Sequence, residues 1–95
     1  MSVRVCLLLW AEPGAEAKLV DYEDRVLRLI EDHGGRVLQR ARTDGREGAP
    51  LEIQILEYPS RDAFDAYLAD GRRAALAADR DAAIARTEVL DVELV

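Results

Sequence analysis

The sequence contains few of the residues that build metal sites and covalent catalytic sites. Its 95 residues include one cysteine, Cys6, and one histidine, His33. A single cysteine cannot close a disulfide within the chain, and one cysteine with one histidine is not a metal-ligand set. The sequence also lacks a glycine-rich phosphate loop, a nucleophile elbow and a dinucleotide fingerprint. We therefore expect neither a metal nor a cofactor, and nucleophilic catalysis is disfavoured.

Lysine and long apolar runs are also scarce. Lys18 is the only lysine, and the other cations are arginines, which face 19 acidic residues for a formal net charge of −6. Such a chain repels nucleic-acid phosphates and anionic membrane surfaces. The longest apolar run, Val5 to Ala11, is too short to span a bilayer. These features predict a cytoplasmic protein that binds neither nucleic acid nor membranes.

The hydrophobic pattern predicts six elements in one domain spanning residues 1–95. The predicted strands are 3–10, 36–43, 51–58 and 87–94, and the predicted helical regions are 15–33 and 61–85, the second broken near Asp70. The order β-α-β-β-α-β is that of the α+β ferredoxin-like fold, with a four-stranded antiparallel sheet whose first and third strands are central. Those two strands are also the most apolar, which supports the assignment.

The first strand is apolar on both faces, although two helices can cover only one face of the sheet. We expect Cys6, Leu8, Trp10 and Leu56 to lie on the uncovered face. An uncovered apolar sheet face favours association, and packing against a two-fold copy is the simplest way to bury it. The sequence therefore predicts a homodimer formed through the sheet.

Three segments, taken in order, resemble a known family. Residues 34–40 read GGRVLQR, similar to the family's GGR-x-L-x-R; residues 56–60 read LEYPS, similar to E-[FY]-P-S; and Arg80 begins a stretch similar to R-x-x-A. The family is a domain-of-unknown-function family of the dimeric α+β barrel superfamily, related to antibiotic-biosynthesis monooxygenase-type small proteins. The resemblance implies a dimeric α+β barrel with a pocket beside the sheet. Superfamily relatives include cofactor-independent monooxygenases, haem-degrading enzymes and lactone isomerases.

Five residues are candidates for the chemistry of such a pocket. His33 and Glu57 are candidate proton-transfer groups, while Arg40 and Arg80 would hold an anionic group. Tyr67 would line the wall. Each also has a structural interpretation: His33 as a helix C-terminal residue, Arg40 with Glu57 as a cross-strand ion pair, Arg80 as a partner of a nearby acid, and Tyr67 as core.

Strand alternation places Glu57 with Ile53 and Ile55, on the side that we take to face the helices. Two functions remain open at this point. The first is a cofactor-independent enzyme, of monooxygenase or isomerase type, acting on a small organic compound in a pocket between sheet and helices. The second is a non-catalytic ligand-binding or dimeric interaction module. A pocket holding His33 and an arginine without an acidic partner would favour the first, and a filled core with every arginine paired would favour the second.

Overall fold

A four-stranded antiparallel sheet forms one layer of the protein, and helices cover one of its faces. The structure is a computed structural model that describes residues 2–95. The strands are β1 (Val3–Ala11), β2 (Arg36–Arg42), β3 (Glu52–Tyr58) and β4 (Ile84–Asp91), in the spatial order β2-β3-β1-β4. This is the predicted ferredoxin-like order, with β1 and β3 at the centre.

The first helical region has the predicted extent but two backbone geometries. It begins as the α-helix α1 (Glu16–Val26) and continues as a 3₁₀ helix, Leu27–His33. Gly34 ends it in the left-handed conformation, with φ of 75°, which a side chain would hinder. The Gly35 N–H then donates to the Ile30 carbonyl, so the chain turns directly into β2.

The second helical region is divided into three short helices: the first break lies at the predicted place near Asp70, and the second, at residues 75–76, was not predicted. They are α2 (Arg61–Leu68), α3 (Gly71–Ala74) and α4 (Ala77–Ala83). Ser60 caps α2 by accepting from the Ala63 N–H at 3.1 Å, and Asp70 caps α3 by accepting from the Arg72 N–H at 2.8 Å. The helix ends early enough for Ile84 to pair with Ala11. For that reason β4 lies three residues earlier than the predicted 87–94.

The covered face of β3 is the opposite of the expected one. Along this strand the even-numbered residues are buried and the odd-numbered residues are half-buried. Leu56 pairs with buried Val5 and belongs to the helix-covered core, so its expected place on the open face is wrong. Glu57 lies on the open face, so its expected helix-facing position is also wrong. Ile53 and Leu56 are both apolar, and alternation alone does not show which face the helices cover.

The core beneath the helices consists of two clusters of buried side chains. One cluster contains Val5, Leu27, Ile30, Leu56, Tyr58, Phe64 and Tyr67. The other contains Leu9, Leu19, Tyr22, Val26, Ala83 and Ile84. Within residues 2–95, no helix is both long and apolar enough to cross a membrane.

Candidate binding site between the sheet and the helices

A cavity of about 420 Å³ lies between the sheet and the helices, and we call it the sheet–helix cavity. Its walls are mostly apolar and come from both core clusters and from Leu7, which packs against the first cluster. The wall residues from the two clusters include Leu9, Val26, Leu56, Phe64 and Ile84. Leu68 on α2 and Val89 on β4 also line it and are 42% and 48% exposed. These two residues therefore mark the side on which the cavity opens to solvent. The volume is in the range of small-molecule sites.

Two buried polar residues interrupt the apolar wall. Glu23 on α1 is 4% exposed and Gln54 on β3 is fully buried. The Gln54 Nε2 atom donates to Glu23 Oε1 at 2.7 Å and to Glu52 Oε2 at 2.6 Å. Both hydrogens of the Gln54 amide NH₂ group are donated to carboxylates. The amide oxygen, Oε1, can therefore only accept a hydrogen bond. That oxygen is buried and has no hydrogen-bond partner among the described residues.

The two carboxyl groups bonded to Gln54 have different electrostatic surroundings. Burial raises the pKa of Glu23, and the hydrogen bond from Gln54 only partly offsets this effect. No arginine lies within ion-pair distance of Glu23 in the part of the chain that the structure describes. For Glu52, burial also acts to raise the pKa, but hydrogen bonds from Arg40, Gln54 and Arg42 outweigh it and lower the pKa. Glu52 is therefore a fixed anion, and Glu23 is the carboxyl suited to exchanging a proton.

Two predicted residues, Tyr67 and Arg80, line the sheet–helix cavity. The Tyr67 hydroxyl donates to the Val26 carbonyl at 3.3 Å, and burial raises its pKa to about 12. Tyr67 is thus a wall residue of the cavity whose hydroxyl is hydrogen-bonded to the backbone. The Arg80 Nη2 atom donates to Thr87 Oγ1 at 3.2 Å. No acidic residue pairs with Arg80 among residues 2–95, so the structural interpretation of an ion pair with a neighbouring acid is wrong.

Arg73 on α3 also lines the cavity and was not predicted. Its guanidinium carbon lies 5.3 Å from the centroid of the Tyr67 ring, a cation–π contact. Its Nη1 atom donates to the Leu68 carbonyl at 3.4 Å, while its Nε atom is buried without a partner among the described residues. Arg73 and Arg80 together add two cationic groups to a mostly apolar wall that also contains Glu23 and Gln54.

His33 does not line the cavity. Its Nε2 atom lies 2.8 Å from Asp70 Oδ2, and its ring meets the Tyr67 ring edge-on at a centroid distance of 6.1 Å. Arg72 and His33 both hydrogen-bond Asp70, and together they hold the pKa of that carboxyl well below its usual range. His33 therefore joins the end of the first helical region to the start of α3. The structure does not bring it to the cavity.

The predicted ion pair between Arg40 and Glu57 is wrong. Arg40 instead forms a two-point pair with Glu52 and a further bond to Asp24 at 2.8 Å. Glu57 lies on the open face between Arg4 and Arg36, at 2.9 Å from each, and the Arg36 hydrogen bond lowers its pKa. The pairing register sets Arg36 opposite Glu57, because β2 contains a bulge between positions 37 and 39. Neither predicted residue lines the cavity.

Sequence reasoning missed Glu23, although the sequence contained a signal for it. The apolar stripe of α1 includes Leu19, Tyr22 and Val26, and Glu23 lies four residues after Leu19 and three before Val26. A carboxyl within such a stripe must be buried with the stripe. Gln54 carries a similar signal, since it alternates with Leu56 and Tyr58 on β3.

Comparison with known proteins identifies the family. A family model described as a domain of unknown function, DUF1330, matches residues 11–94. The chain belongs to the DUF1330 family. The family predicted from the sequence segments is thereby confirmed. No curated protein matches the sequence.

Solved structures share the fold of this DUF1330 protein at low sequence identity. RPA0582, a protein of unknown function from Rhodopseudomonas palustris, has 19% identity and a TM-score of 0.80, over 99% of this chain and 82% of that chain. SnoaB, a cofactor-independent oxygenase from Streptomyces nogalater, has 16% identity and a TM-score of 0.71, over 99% and 95%. A dimeric ferredoxin-like protein of unknown function from Bacteroides fragilis has 9% identity and a TM-score of 0.71, over 98% and 96%. The α+β ferredoxin-like fold is thereby confirmed.

Proposed function

We propose that this DUF1330 protein binds a small organic compound in the sheet–helix cavity and that Glu23 moves a proton on that compound without a cofactor. The observation that carries the proposal is the state of Glu23. It is a buried carboxyl on the wall of an apolar cavity, its pKa is raised by burial, and Gln54 holds it in place at 2.7 Å. A carboxyl whose pKa is moved toward the working pH is an effective general acid or base.

The chemistry this arrangement supports is proton abstraction from a weakly acidic position of the ligand, such as a carbon next to a carbonyl group. The Glu23 carboxylate accepts the proton and becomes a carboxylic acid, and the ligand becomes an enolate. The positive charges of Arg73 and Arg80, which line the same cavity, would favour a ligand that becomes more negative in this step. Returning the proton to a different atom completes an isomerisation. An oxygenation would require dioxygen as a co-reactant.

We also propose that two copies of the chain associate through the open face of the sheet. Cys6, Leu8, Ile53 and Ile55 lie side by side there on the two central strands, all half-buried in the isolated chain. The dimeric neighbour from Bacteroides fragilis supports self-association of this fold. Such a dimer would leave the sheet–helix cavity free, because the cavity lies on the opposite face of the sheet.

Hydrogen–deuterium exchange of a carbon acid tests the enzymatic part of the proposal. The probe is 2-tetralone, a bicyclic ketone with acidic hydrogens beside its carbonyl group, followed by proton NMR in deuterated buffer. We expect the wild-type protein to accelerate exchange and Glu23→Gln to lose about tenfold or more of that acceleration, since general acid–base catalysis typically contributes about 10²–10⁴-fold. Glu23→Gln keeps an oxygen that can accept from Gln54, so the loss would report the proton and not the shape.

A blocking variant tests the place of binding. Val89→Trp puts a large ring at the half-exposed mouth of the cavity and should abolish both binding of 2-tetralone and the exchange. Val37→Trp is the matched control, because Val37 is 37% exposed on the other edge strand and does not line the cavity. Binding without exchange would favour the non-catalytic ligand-binding module. Binding that survives Val89→Trp would contradict the proposed site.

A further inference from the structure

We infer that the ligand of the sheet–helix cavity is a small organic carboxylate with an apolar body, held at its anionic end by Arg73 and Arg80. This inference rests on the proposed function, since it names the class of compound that the same cavity takes. These two arginines differ from most other arginines of the chain in having no carboxylate partner among the described residues.

Acidic residues outnumber basic residues by 19 to 13, so an arginine in this protein readily finds a carboxylate. Nine arginines among the described residues do so: Arg4, Arg25, Arg36, Arg40, Arg42, Arg46, Arg61, Arg72 and Arg86. Three do not, and of these Arg28 is exposed to solvent. The other two, Arg73 and Arg80, are half-buried and line the same cavity.

The protein contacts of these two side chains are with neutral groups. Arg73 meets the Leu68 carbonyl and the Tyr67 ring, and Arg80 meets the Thr87 hydroxyl. Each guanidinium carries five N–H donors, so most of the donors on both side chains have no acceptor within residues 2–95. The buried Nε atom of Arg73 is one of these donors. A cation partly removed from water and left without an acceptor is unfavourable, and an anion in the cavity would remove that cost.

The other lining residues of the cavity limit the apolar body and the net charge of the ligand. The wall is apolar, which requires a hydrophobic body. Glu23 shares the cavity, and a ligand with two negative charges, such as a phosphate monoester, would repel its ionised form. A carboxylate carries one charge and matches the planar fork of a guanidinium with two parallel hydrogen bonds. A monoanionic organic acid therefore fits the cavity better than a phosphate ester.

Two probes that differ only in charge test the inference. They are 2-naphthoate and 2-naphthamide, titrated into the wild-type protein by calorimetry near neutral pH. We expect naphthoate to bind about tenfold or more tightly than naphthamide, a ratio of dissociation constants that corresponds to about 1.4 kcal/mol. Added salt should weaken the binding of naphthoate and leave that of naphthamide nearly unchanged.

The variants Arg73→Met and Arg80→Met keep much of the apolar stem and remove the charge. The double variant should lose the preference for naphthoate while its affinity for naphthamide stays within about twofold. Arg28→Met is the matched control, since Arg28 also lacks a carboxylate partner but lies away from the cavity, and it should retain the wild-type preference. Where a Met variant fails to fold by circular dichroism, Arg73→Gln and Arg80→Gln provide the same comparison.

The outcomes separate this inference from the proposed function. Equal or tighter binding of naphthamide by the wild type would overturn the carboxylate inference and leave the proposed function intact. A preference for naphthoate that survives the double variant would overturn the assignment of Arg73 and Arg80. Absence of binding by both probes and by 2-tetralone would overturn both the inference and the proposed function.

Discussion

Glu52 accepts a hydrogen bond from Gln54, a residue of the cavity wall. Replacing Glu52 is the sharpest test of the buried hydrogen bonds that hold the candidate site. Its carboxylate is 0% exposed and accepts four hydrogen bonds: two from Arg40, at 3.0 and 3.1 Å, one from Arg42 at 2.9 Å and one from Gln54 at 2.6 Å. Glu52→Gln preserves the size of the side chain but removes the charge. It also replaces one accepting oxygen by an NH₂ group, so some of the donors on Arg40, Arg42 and Gln54 lose their acceptor.

The expected loss of stability follows from the surroundings of the two arginines. Removing one partner of a buried ion pair typically costs about 3–5 kcal/mol. Here Arg40 keeps its bond to Asp24 at 2.8 Å, and the Arg42 side chain is 47% exposed, so water replaces part of what is lost. We therefore expect Glu52→Gln to lower the free energy of unfolding by about 2–3 kcal/mol. That is a large share of the roughly 5–15 kcal/mol of a typical domain.

The effect should depend on pH in a definite direction. The pKa of Glu52 is lowered in the folded state, so its stabilisation is present above the unfolded-state pKa, about 4.3, and is lost as the pH falls through the folded-state pKa. Glu52→Gln should therefore differ most from the wild type near neutral pH. The difference should shrink in acid.

Urea unfolding at one fixed protein concentration measures this loss, because association would otherwise shift the midpoint. With a slope of about 1.5 kcal/mol per molar urea, the midpoint near neutral pH should fall by about 1–2 M. Asp91→Asn is the control: Asp91 pairs with Arg61 but is 71% exposed, so its loss should leave the midpoint unchanged. A Glu52→Gln midpoint equal to the wild type, or a loss that does not change with pH, would refute the buried network.

Three further perturbations test other parts of the structure. The pKa of Glu23 is raised on folding, so its ionised form destabilises the folded protein above the unfolded-state pKa. Glu23→Gln should therefore be as stable as the wild type in acid. As the pH rises, it should become more stable than the wild type in urea unfolding. Gly35→Ala should cost about 1–3 kcal/mol by thermal unfolding, since its Cβ would lie 2.7 Å from Ile30 and 2.9 Å from Tyr58. Leu8→Arg should convert a dimer to monomer in sedimentation equilibrium by placing an unpaired charge on the open face; a wild-type monomer at tens of micromolar would contradict the proposed dimer.

The element order could be predicted because its signals are local. Gly34 stops the first helical region with a left-handed residue, and Ser60 caps α2, each through contacts with neighbours in sequence. The central positions of β1 and β3 followed from their apolar composition. Such signals do not depend on the rest of the fold, and they agreed with one another.

The pairing of β2 with β3 could not be predicted for a specific reason. Arg36 and Arg40 are four residues apart, so a regular strand would place them on the same face. The bulge between positions 37 and 39 reverses the alternation, and Arg40 turns toward the helices while Arg36 stays on the open face with Glu57. No turn residue marks this bulge in the sequence. The identity of the covered face depends on packing and was equally inaccessible.

The candidate site was predicted only in part, because its residues come from elements that are far apart in the sequence and meet only in the folded protein. Tyr67 was found because it lies on the apolar stripe of α2. Arg73 lies on α3, a four-residue helix after the predicted break, where periodicity carries no information. The position of Glu23 in the apolar stripe could have predicted its burial. Its hydrogen bond to Gln54 could not be predicted, because that contact depends on which strand packs against α1.

Among the described residues, six side-chain nitrogen or oxygen atoms are buried without a hydrogen-bond partner, and two of them belong to residues that line the sheet–helix cavity. Both carboxylate oxygens of Glu52 accept hydrogen bonds, and Glu52 does not line the cavity. Gln54 Oε1 and Arg73 Nε, by contrast, are buried without partners, and both residues line it. Each such atom costs about 1–3 kcal/mol when left unsatisfied. The open Nε donor of Arg73 fits the carboxylate that we propose as ligand, whereas Gln54 Oε1 needs a donor, which an ionised carboxylate lacks.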